Sequence, residues 1–175
     1  MATISTEMRE RLLSYVSHQV AKGPAGIRET LQKGHDEILS LVAGMSDEQA
    51  KFKPSPDDWC VLEVLQHVIE SQRSIARRCA ELARGEQPAP IGRIGTIEQE
   101  PYQSLAEALA VLDAGHAQLL AFVDTISPET NLEAAWAHPW FGPLNCAQWA
   151  VFQRVHEGDH AGQIGQITSA SGYPA

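Results

Sequence analysis

Apolar residues recur at intervals of three and four along most of the chain, which is the period of an amphipathic helix. This pattern predicts five helices, over residues 5–21, 25–45, 60–84, 104–127 and 146–170. Clusters of proline and glycine between them predict loops, at residues 22–24, 51–58, 85–103 and 128–144. No segment shows the regular alternation of a strand, so we predict an all-α protein.

The four longer helices favour a four-helix bundle with one long crossover, residues 85–103, between the middle two. Residues 24–175 would form this domain, and residues 1–23 a short extra N-terminal helix outside the common core. Local signals support two helix starts. Ser104 with Glu107 has the spacing of a capping box, and Asn145 is a plausible N-cap for the last helix.

Composition narrows the classes of function. The chain has 175 residues and a formal net charge of −9, with no basic stripe, so we expect no nucleic-acid partner. The three cysteines are odd in number and widely spaced, which disfavours structural disulfides. The N-terminus lacks a signal-peptide pattern, and no apolar run approaches the length of a membrane span. We expect a cytoplasmic protein that does not contact membranes.

The most informative motif is His156-Glu157-Gly158-Asp159-His160, near the C-terminus. Two histidines four residues apart lie on one face of a helix, one turn above the other, and can reach a single metal ion. This face also carries Trp149 and Phe152, so it should point into the bundle. Two histidines on one inward face favour a metal site over two isolated core histidines.

Two familiar metal architectures fit poorly. A zinc metallopeptidase would use Glu157 as general base with a further ligand downstream, but no His, Asp, Glu or Cys follows His160. Glu157 also lies about 60–100° away from the two histidines on a helical wheel. A ferritin-like di-iron site needs a second E-x-x-H motif and further inward glutamates.

A third ligand is available on another helix. His67 lies two turns into the predicted helix 60–84. One histidine from this helix and two from the last helix would form a three-nitrogen set, leaving metal positions open for water or substrate, as catalytic sites do.

At this point the residues resemble a known family, the DinB/YfiT-like proteins. The resemblance is carried by the segment Trp59–His67, by His138-Pro139-Trp140-Phe141-Gly142-Pro143-Leu144, and by Trp149, His156, His160 and Gln163. It covers residues 25–170 and implies a four-helix bundle of DinB-like topology. It also implies that His67, His156 and His160 bind a divalent metal. Cys60 departs from the serine or threonine often found there, which would weaken the N-cap.

Several neighbours of these histidines are candidates for supporting roles. Glu63 or Asp159 could hold the second nitrogen of a ligand, although solvated helix surface is an equal alternative. Gln163 could bond a metal-bound water or form part of an interface. His116 lies in an apolar stripe, either near the metal or in the core. His138 could line the pocket mouth, but packing within its loop is favoured.

Three glycines, at positions 158, 162 and 165, cluster on the opposite face of the last helix. Each costs the helix about 1 kcal/mol relative to alanine. They predict a close approach to another helix or to a second subunit, or else simply a tolerated weak helix end.

The functional expectation is a divalent-metal-dependent enzyme of the DinB type. Activation of water would make it a hydrolase, and activation of a low-molecular-weight thiol would make it an S-transferase. The metal could be zinc, nickel, iron or manganese, and the partners would be a small-molecule substrate or thiol cosubstrate and a second copy in a homodimer. The alternative is a non-catalytic metal-binding stress or interaction protein.

Overall fold

The computed structural model describes residues 5–90, 97 and 100–175. Predictions for residues 1–4, 91–96 and 98–99 lie outside this part of the chain. The elements in order are α1 (Thr6–Val20), α2 (Gly23–Val42), α3 (Asp47–Lys51), α4 (Val61–Ala83), α5 (Leu105–Val123), β1 (Ala135–His138), β2 (Gly142–Asn145) and α6 (Cys146–Thr168). The five predicted helices are present, with boundaries shifted by a few residues.

Helices α2, α4, α5 and α6 form a four-helix bundle, as predicted. Helix α2 packs against α6 and α5, and α4 packs against α5 and α6. Consecutive helices α2 and α4 are therefore diagonal, and so are α5 and α6. The predicted crossover between the middle two helices is confirmed. The first halves of α4 and α5 lie in one apolar cluster and their second halves in the other, so these neighbours run parallel and the chain between them returns along the bundle. The connections from α2 to α4 and from α5 to α6 each join diagonal helices at one end of the bundle.

Side-chain caps explain several helix starts. Asn145 Oδ1 accepts from the backbone N–H of Gln148, whose side chain accepts in return from the N–H of Asn145, so the predicted N-cap is a full capping box. Ser104 accepts from the N–H of Glu107, but the Glu107 carboxylate accepts from Gln103 rather than from Ser104. The box predicted there is only half formed.

Two short elements were not predicted. Ser46 and Gln49 cap α3 reciprocally within the connection between α2 and α4. The predicted loop 128–144 contains most of a two-stranded antiparallel hairpin, in which Trp136 pairs with Leu144 and His138 with Gly142. The hairpin turn requires φ +78° at position 142, which only glycine adopts without strain.

The buried apolar residues divide into two clusters along the bundle axis. On each bundle helix the change from one cluster to the other occurs at small or polar residues, which form a central polar layer. Its members are Gly34 and His35 on α2, Gln72 on α4, Gly115 and His116 on α5, and Gln153 and Glu157 on α6. The glycines leave room for neighbouring side chains, since a Cβ on Gly34 would lie 2.4 Å from Glu157 Oε2.

Among the residues that the structure describes, no other helix meets the glycine face of α6. A Cβ at Gly162 or Gly165 would have nothing within 4 Å, and one at Gly158 would meet only the Arg154 side chain. The prediction of close packing against a helix within the chain was therefore wrong. The second-subunit alternative stays a prediction.

Helix α5 is the one helix in the described part of the chain that is long and apolar enough to span a membrane. In the apolar stretch of this helix, 44% of the residues are buried inside the bundle. Core helices of globular proteins pass the same test, so α5 is weak evidence for a span. Helix α5 is thus more apolar than predicted, since no apolar run long enough to span a membrane was expected in the sequence.

Candidate metal centre

Three histidine side chains converge at the interface of α4 and α6. Nε2 of His156 lies 3.1 Å from Nε2 of His67 and 3.2 Å from Nε2 of His160. The ligand atoms of all three residues lie within 4.8 Å of one another. His160 is buried, and His67 and His156 are half-buried, so the cluster is sheltered but reachable from one side.

This geometry suits a common cation better than a hydrogen-bonded triad. A proton on Nε2 of His156 could be donated to only one of its two neighbours, leaving two ring nitrogens facing each other without a proton. Metal–nitrogen bonds of ~2.0–2.1 Å place adjacent ligands about 3.0 Å apart in an octahedral set and about 3.4 Å apart in a tetrahedral set. The two short distances fall between these values, so the residues fit a divalent ion without selecting its geometry.

The tautomer of His160 is set by its neighbour Gln163. Nδ1 of His160 lies 2.8 Å from Oε1 of Gln163. An amide oxygen only accepts, so Nδ1 carries the proton and Nε2 keeps its lone pair for the cluster. The sequence left Gln163 either at a metal-bound water or in an interface, and the structure places its amide oxygen at Nδ1 of His160, on the side of the ring away from the cluster.

Burial favours the neutral forms of His156 and His160. Burial, and then the fields of His160, His67 and His138, hold the pKa of His156 well below its ordinary value. Burial also lowers the pKa of His160, although the bond to Gln163 and the charge of Asp159 oppose this shift. Neutral imidazoles are the form that binds metal.

Aromatic rings border the cluster. The Trp59 ring lies 5.2 Å from the His67 ring and 6.4 Å from the His160 ring, between centroids. On the side toward the N-terminus of α6, the His138 ring packs 4.6 Å from Phe152, which is one turn before His156. The surroundings therefore combine a polar centre with apolar walls, as small-molecule sites do.

The two acidic candidates lie elsewhere. One carboxylate oxygen of Glu63 accepts from Lys53 Nζ at 2.7 Å and the other from the backbone N–H of Cys60 at 2.8 Å. Glu63 thus forms the reciprocal half of a capping box at the start of α4, in which the Cys60 side chain accepts from the backbone N–H of Glu63. Asp159 is exposed and forms no hydrogen bond to a histidine in the described part of the chain. Neither acid holds a ligand's second nitrogen as the sequence analysis suggested.

His116 belongs to the polar layer and not to the cluster. Its ring stacks on His35 at a centroid distance of 4.1 Å, and its Nε2 lies 3.3 Å from Gln32 Oε1. His35 is also buried, and its Nε2 bonds Asp113 at 2.8 Å. Burial and the neighbouring His35 lower the pKa of His116 to about 4.

Glu157 faces away from the three histidines, as its position on the helical wheel predicted. Its Oε1 accepts from Gln72 Nε2 at 2.9 Å and from Gln153 Nε2 at 3.1 Å. Burial raises its pKa to about 7, although these hydrogen bonds oppose the shift. A metallopeptidase role for this carboxylate is incompatible with that orientation. The contacts of Gln72 and Gln153 with Glu157 were not predicted, because their only signal in the sequence was a polar residue within an apolar stripe.

Comparison with known proteins identifies the family. The family model of the DinB superfamily matches residues 30–164, which include all three histidines. The chain belongs to the DinB superfamily. The uncharacterised protein YuaE of Bacillus subtilis is 27% identical over 147 residues, covering 75% of this chain and 90% of YuaE.

Two solved structures share the fold. The four-helix bundle protein TT2238 matches with a TM-score of 0.62 at 24% identity, over 81% of this chain and 98% of TT2238. YfiT from Bacillus subtilis, described as a probable metal-dependent hydrolase with an unusual four-helix bundle topology, matches with a TM-score of 0.65 at 17% identity. That match covers 99% of this chain and 93% of YfiT.

Proposed function

We propose that this DinB-superfamily protein is a divalent-metal-dependent enzyme that activates a small nucleophile, either water or a low-molecular-weight thiol. The supporting observation is the convergence of Nε2 of His67, His156 and His160 between two helices. The description of YfiT as a probable metal-dependent hydrolase is consistent with this proposal.

The three imidazoles would hold the ion, and their neutrality leaves its charge uncompensated. A divalent ion in such a site supplies Lewis acidity, lowering the pKa of a bound water or thiol toward neutrality. Gln163 keeps His160 in the tautomer that presents Nε2. Trp59 and Phe152 provide apolar surface beside the cluster, which limits access of bulk water and suits an apolar substrate group.

Glu63 caps the start of α4 and Glu157 bonds Gln72 and Gln153, so neither of these two carboxylates is placed at the cluster as a general base. In this proposal the ion itself activates the nucleophile. This applies equally to water and to a thiol, so we keep both the hydrolase and the S-transferase as forms of the proposal. We further propose a cytoplasmic protein that acts as a homodimer on small molecules, with zinc, nickel, iron or manganese as the metal.

Metal content tests the site. Purified wild type and the variants His67→Ala, His156→Ala and His160→Ala are compared by elemental mass spectrometry and by calorimetric titration with Zn²⁺, Ni²⁺ and Mn²⁺. We expect each variant to lose at least tenfold in affinity, while the exposed His18→Ala control matches wild type. Equal metal affinity in wild type and all three variants would refute the assignment.

Turnover tests the chemistry. The metal-loaded protein is assayed with activated esters and, separately, with an electrophilic bimane and several low-molecular-weight thiols. Metal-dependent release from esters would support the hydrolase, and thiol-dependent conjugation the S-transferase. If the protein binds metal tightly but no substrate turns over with any metal, the alternative of a non-catalytic metal-binding stress or interaction protein is favoured.

A further inference from the structure

The side chain of His138 has a role that its place in a hairpin does not explain. It is the last residue of β1, and its side chain is only 8% exposed. Its Nδ1 accepts two backbone hydrogen bonds, from the N–H of Trp140 at 3.1 Å and from that of Phe141 at 3.3 Å. Because both groups donate, Nδ1 cannot carry a proton, and the ring is fixed as the Nε2–H tautomer.

This Nε2–H has no acceptor in the part of the chain that the structure describes. The Nε2 atom itself is not completely buried, although most of the ring is. A largely buried ring that exposes one unpaired donor is unusual, since buried polar groups are normally satisfied. The donor is therefore available to a ligand.

The position of the ring relates it to the three-histidine cluster. His138 packs on Phe152, and His156 follows Phe152 by one turn on the same face of α6. His138 is also close enough to His156 for a charge on one ring to disfavour a charge on the other. Four aromatic rings surround His138: those of Trp140, Phe141, Trp149 and Phe152. Burial lowers its pKa to about 4, so it remains a neutral donor under ordinary conditions.

Building on the proposed function, we propose that His138 is a substrate-binding residue whose Nε2–H donates to an oxygen of the substrate beside the three histidines. The ligand class is a molecule with a carbonyl or carboxylate oxygen at the reacting end and an apolar group that packs on the aromatic rings. A preorganised neutral donor of this kind stabilises charge that develops on the oxygen without giving up its proton.

A matched pair of variants separates this role from support of the hairpin. In His138→Asn the amide oxygen occupies the position of Nδ1 and can accept the two backbone hydrogen bonds, but the donor at Nε2 is lost. In His138→Gln the amide nitrogen reaches the position of Nε2, but the Nδ1 acceptor is lost. Thermal unfolding and Co²⁺ affinity report on the integrity of each variant.

The first readout is binding of acetate to the Co²⁺-loaded protein, followed by visible absorption. We expect His138→Asn to weaken acetate binding by about 10–100-fold, since hydrogen bonds to charged groups contribute about 1.5–3 kcal/mol. Co²⁺ affinity should be unchanged, and His138→Gln should bind acetate more tightly than His138→Asn. Equal acetate affinity in His138→Asn and wild type would overturn the inference. An equal loss in both variants, with lowered thermal stability, would indicate a purely structural role and overturn it as well.

The second readout does not involve metal. Nitrogen-15 NMR of histidine-labelled protein, with His138 assigned from its variants, should show the Nε2–H tautomer. An Nδ1–H tautomer would overturn the inference whatever the metal results. Failure of the wild type to take up Co²⁺ would instead overturn the proposed function and this inference with it. That outcome differs from the one in which the protein takes up Co²⁺ but the His138 variants bind acetate as tightly as wild type.

Discussion

At the scale of single residues, the candidate site depends on which nitrogen of each ring carries a proton. Gln163 fixes this for His160, and two backbone N–H groups fix it for His138 in the opposite sense. His156, by contrast, has a buried Nδ1 with no partner in the described residues. The His156 ring, which lies between His67 and His160, is thus held by packing. The His160 ring is instead oriented by its hydrogen bond to Gln163.

We therefore expect Gln163→Leu to reduce metal affinity by about 10–100-fold, the usual effect of removing a partner that orients a metal-bound histidine. The fold should be retained, because Gln163 is only half-buried. Calorimetric titration with Zn²⁺ measures the effect. Gln166→Leu, an exposed glutamine one turn along the same helix, is the control, and equal affinities in the two variants would contradict this role.

At the scale of elements, the bundle is joined at its centre by polar contacts between helices. The amide donors of Gln72 on α4 and Gln153 on α6 both point at one carboxylate oxygen of Glu157, whose other oxygen lies against α2 at Gly34. On the α2–α5 side, the stacked pair of His35 and His116 occupies the same layer. These contacts fix the helices in register, since any axial shift would leave several buried polar groups unpaired.

Two substitutions at Glu157 test the contribution of these polar contacts to stability. Glu157→Leu leaves the amide donors of Gln72 and Gln153 without an acceptor, and each unsatisfied group costs about 1–3 kcal/mol, so we expect a large loss of stability. Glu157→Gln keeps an acceptor oxygen and removes a carboxylate that is costly to bury, so it should match or exceed wild type at pH 8. Urea unfolding of the three proteins gives the comparison, and a Leu variant as stable as the Gln variant would refute it.

The lowered pKa of His116, which stacks on His35, predicts that the free energy of unfolding falls in acid. The folded-state pKa of His116, about 4, lies below the unfolded value of 6.5, so unfolding takes up a proton between these limits. Its contribution to stability is complete above about pH 6.5 and is lost as the pH falls toward 4, with a slope of at most about 1.4 kcal/mol per pH unit.

Replacing His116 with leucine removes this titration. We expect the difference in unfolding free energy between wild type and His116→Leu to move in favour of the variant as the pH is lowered from 7.5 to 5. Urea unfolding at several pH values measures this difference. His18→Leu, at an exposed position, should keep the wild-type slope, and a slope in His116→Leu indistinguishable from wild type would contradict the assigned pKa.

Elements whose signals are local were predictable from sequence, and pairings between them were not. Asn145 directly precedes α6, and the two histidines of the H-x-x-x-H motif lie within it. The start of this helix and the shared face of the two histidines could therefore both be predicted from nearby residues. The hairpin was missed because each strand has four residues, too few for alternation to stand out. The neighbour order of the bundle, and hence the stacking of His116 on His35, depends on which faces meet and leaves no periodic trace.

At the scale of the whole molecule, α1 is part of the folded body and not an appendage. It packs on α2 and α6, and Val16 is 1% exposed within the apolar cluster that also contains the hairpin. Arg9 donates to the backbone carbonyl of Phe141, so α1 also holds the turn next to His138. The family model begins at residue 30, yet the structural match to YfiT covers 99% of the chain. Val16 of this N-terminal helix thus contributes to the apolar core, and the placement of residues 1–23 outside the core common to the family stays a prediction.

Truncating that one side chain measures how far α1 contributes to the stability of the whole protein. Val16→Ala removes two buried methyl groups and leaves a small cavity, so we expect a loss of about 2 kcal/mol in unfolding free energy. Met8→Ala, at a side chain that is 48% exposed on the same helix, should change stability by less than about 0.5 kcal/mol. Urea unfolding followed by circular dichroism gives both values. If Val16→Ala is as stable as Met8→Ala, then α1 frays independently of the bundle, and its contact with the hairpin cannot help to position His138.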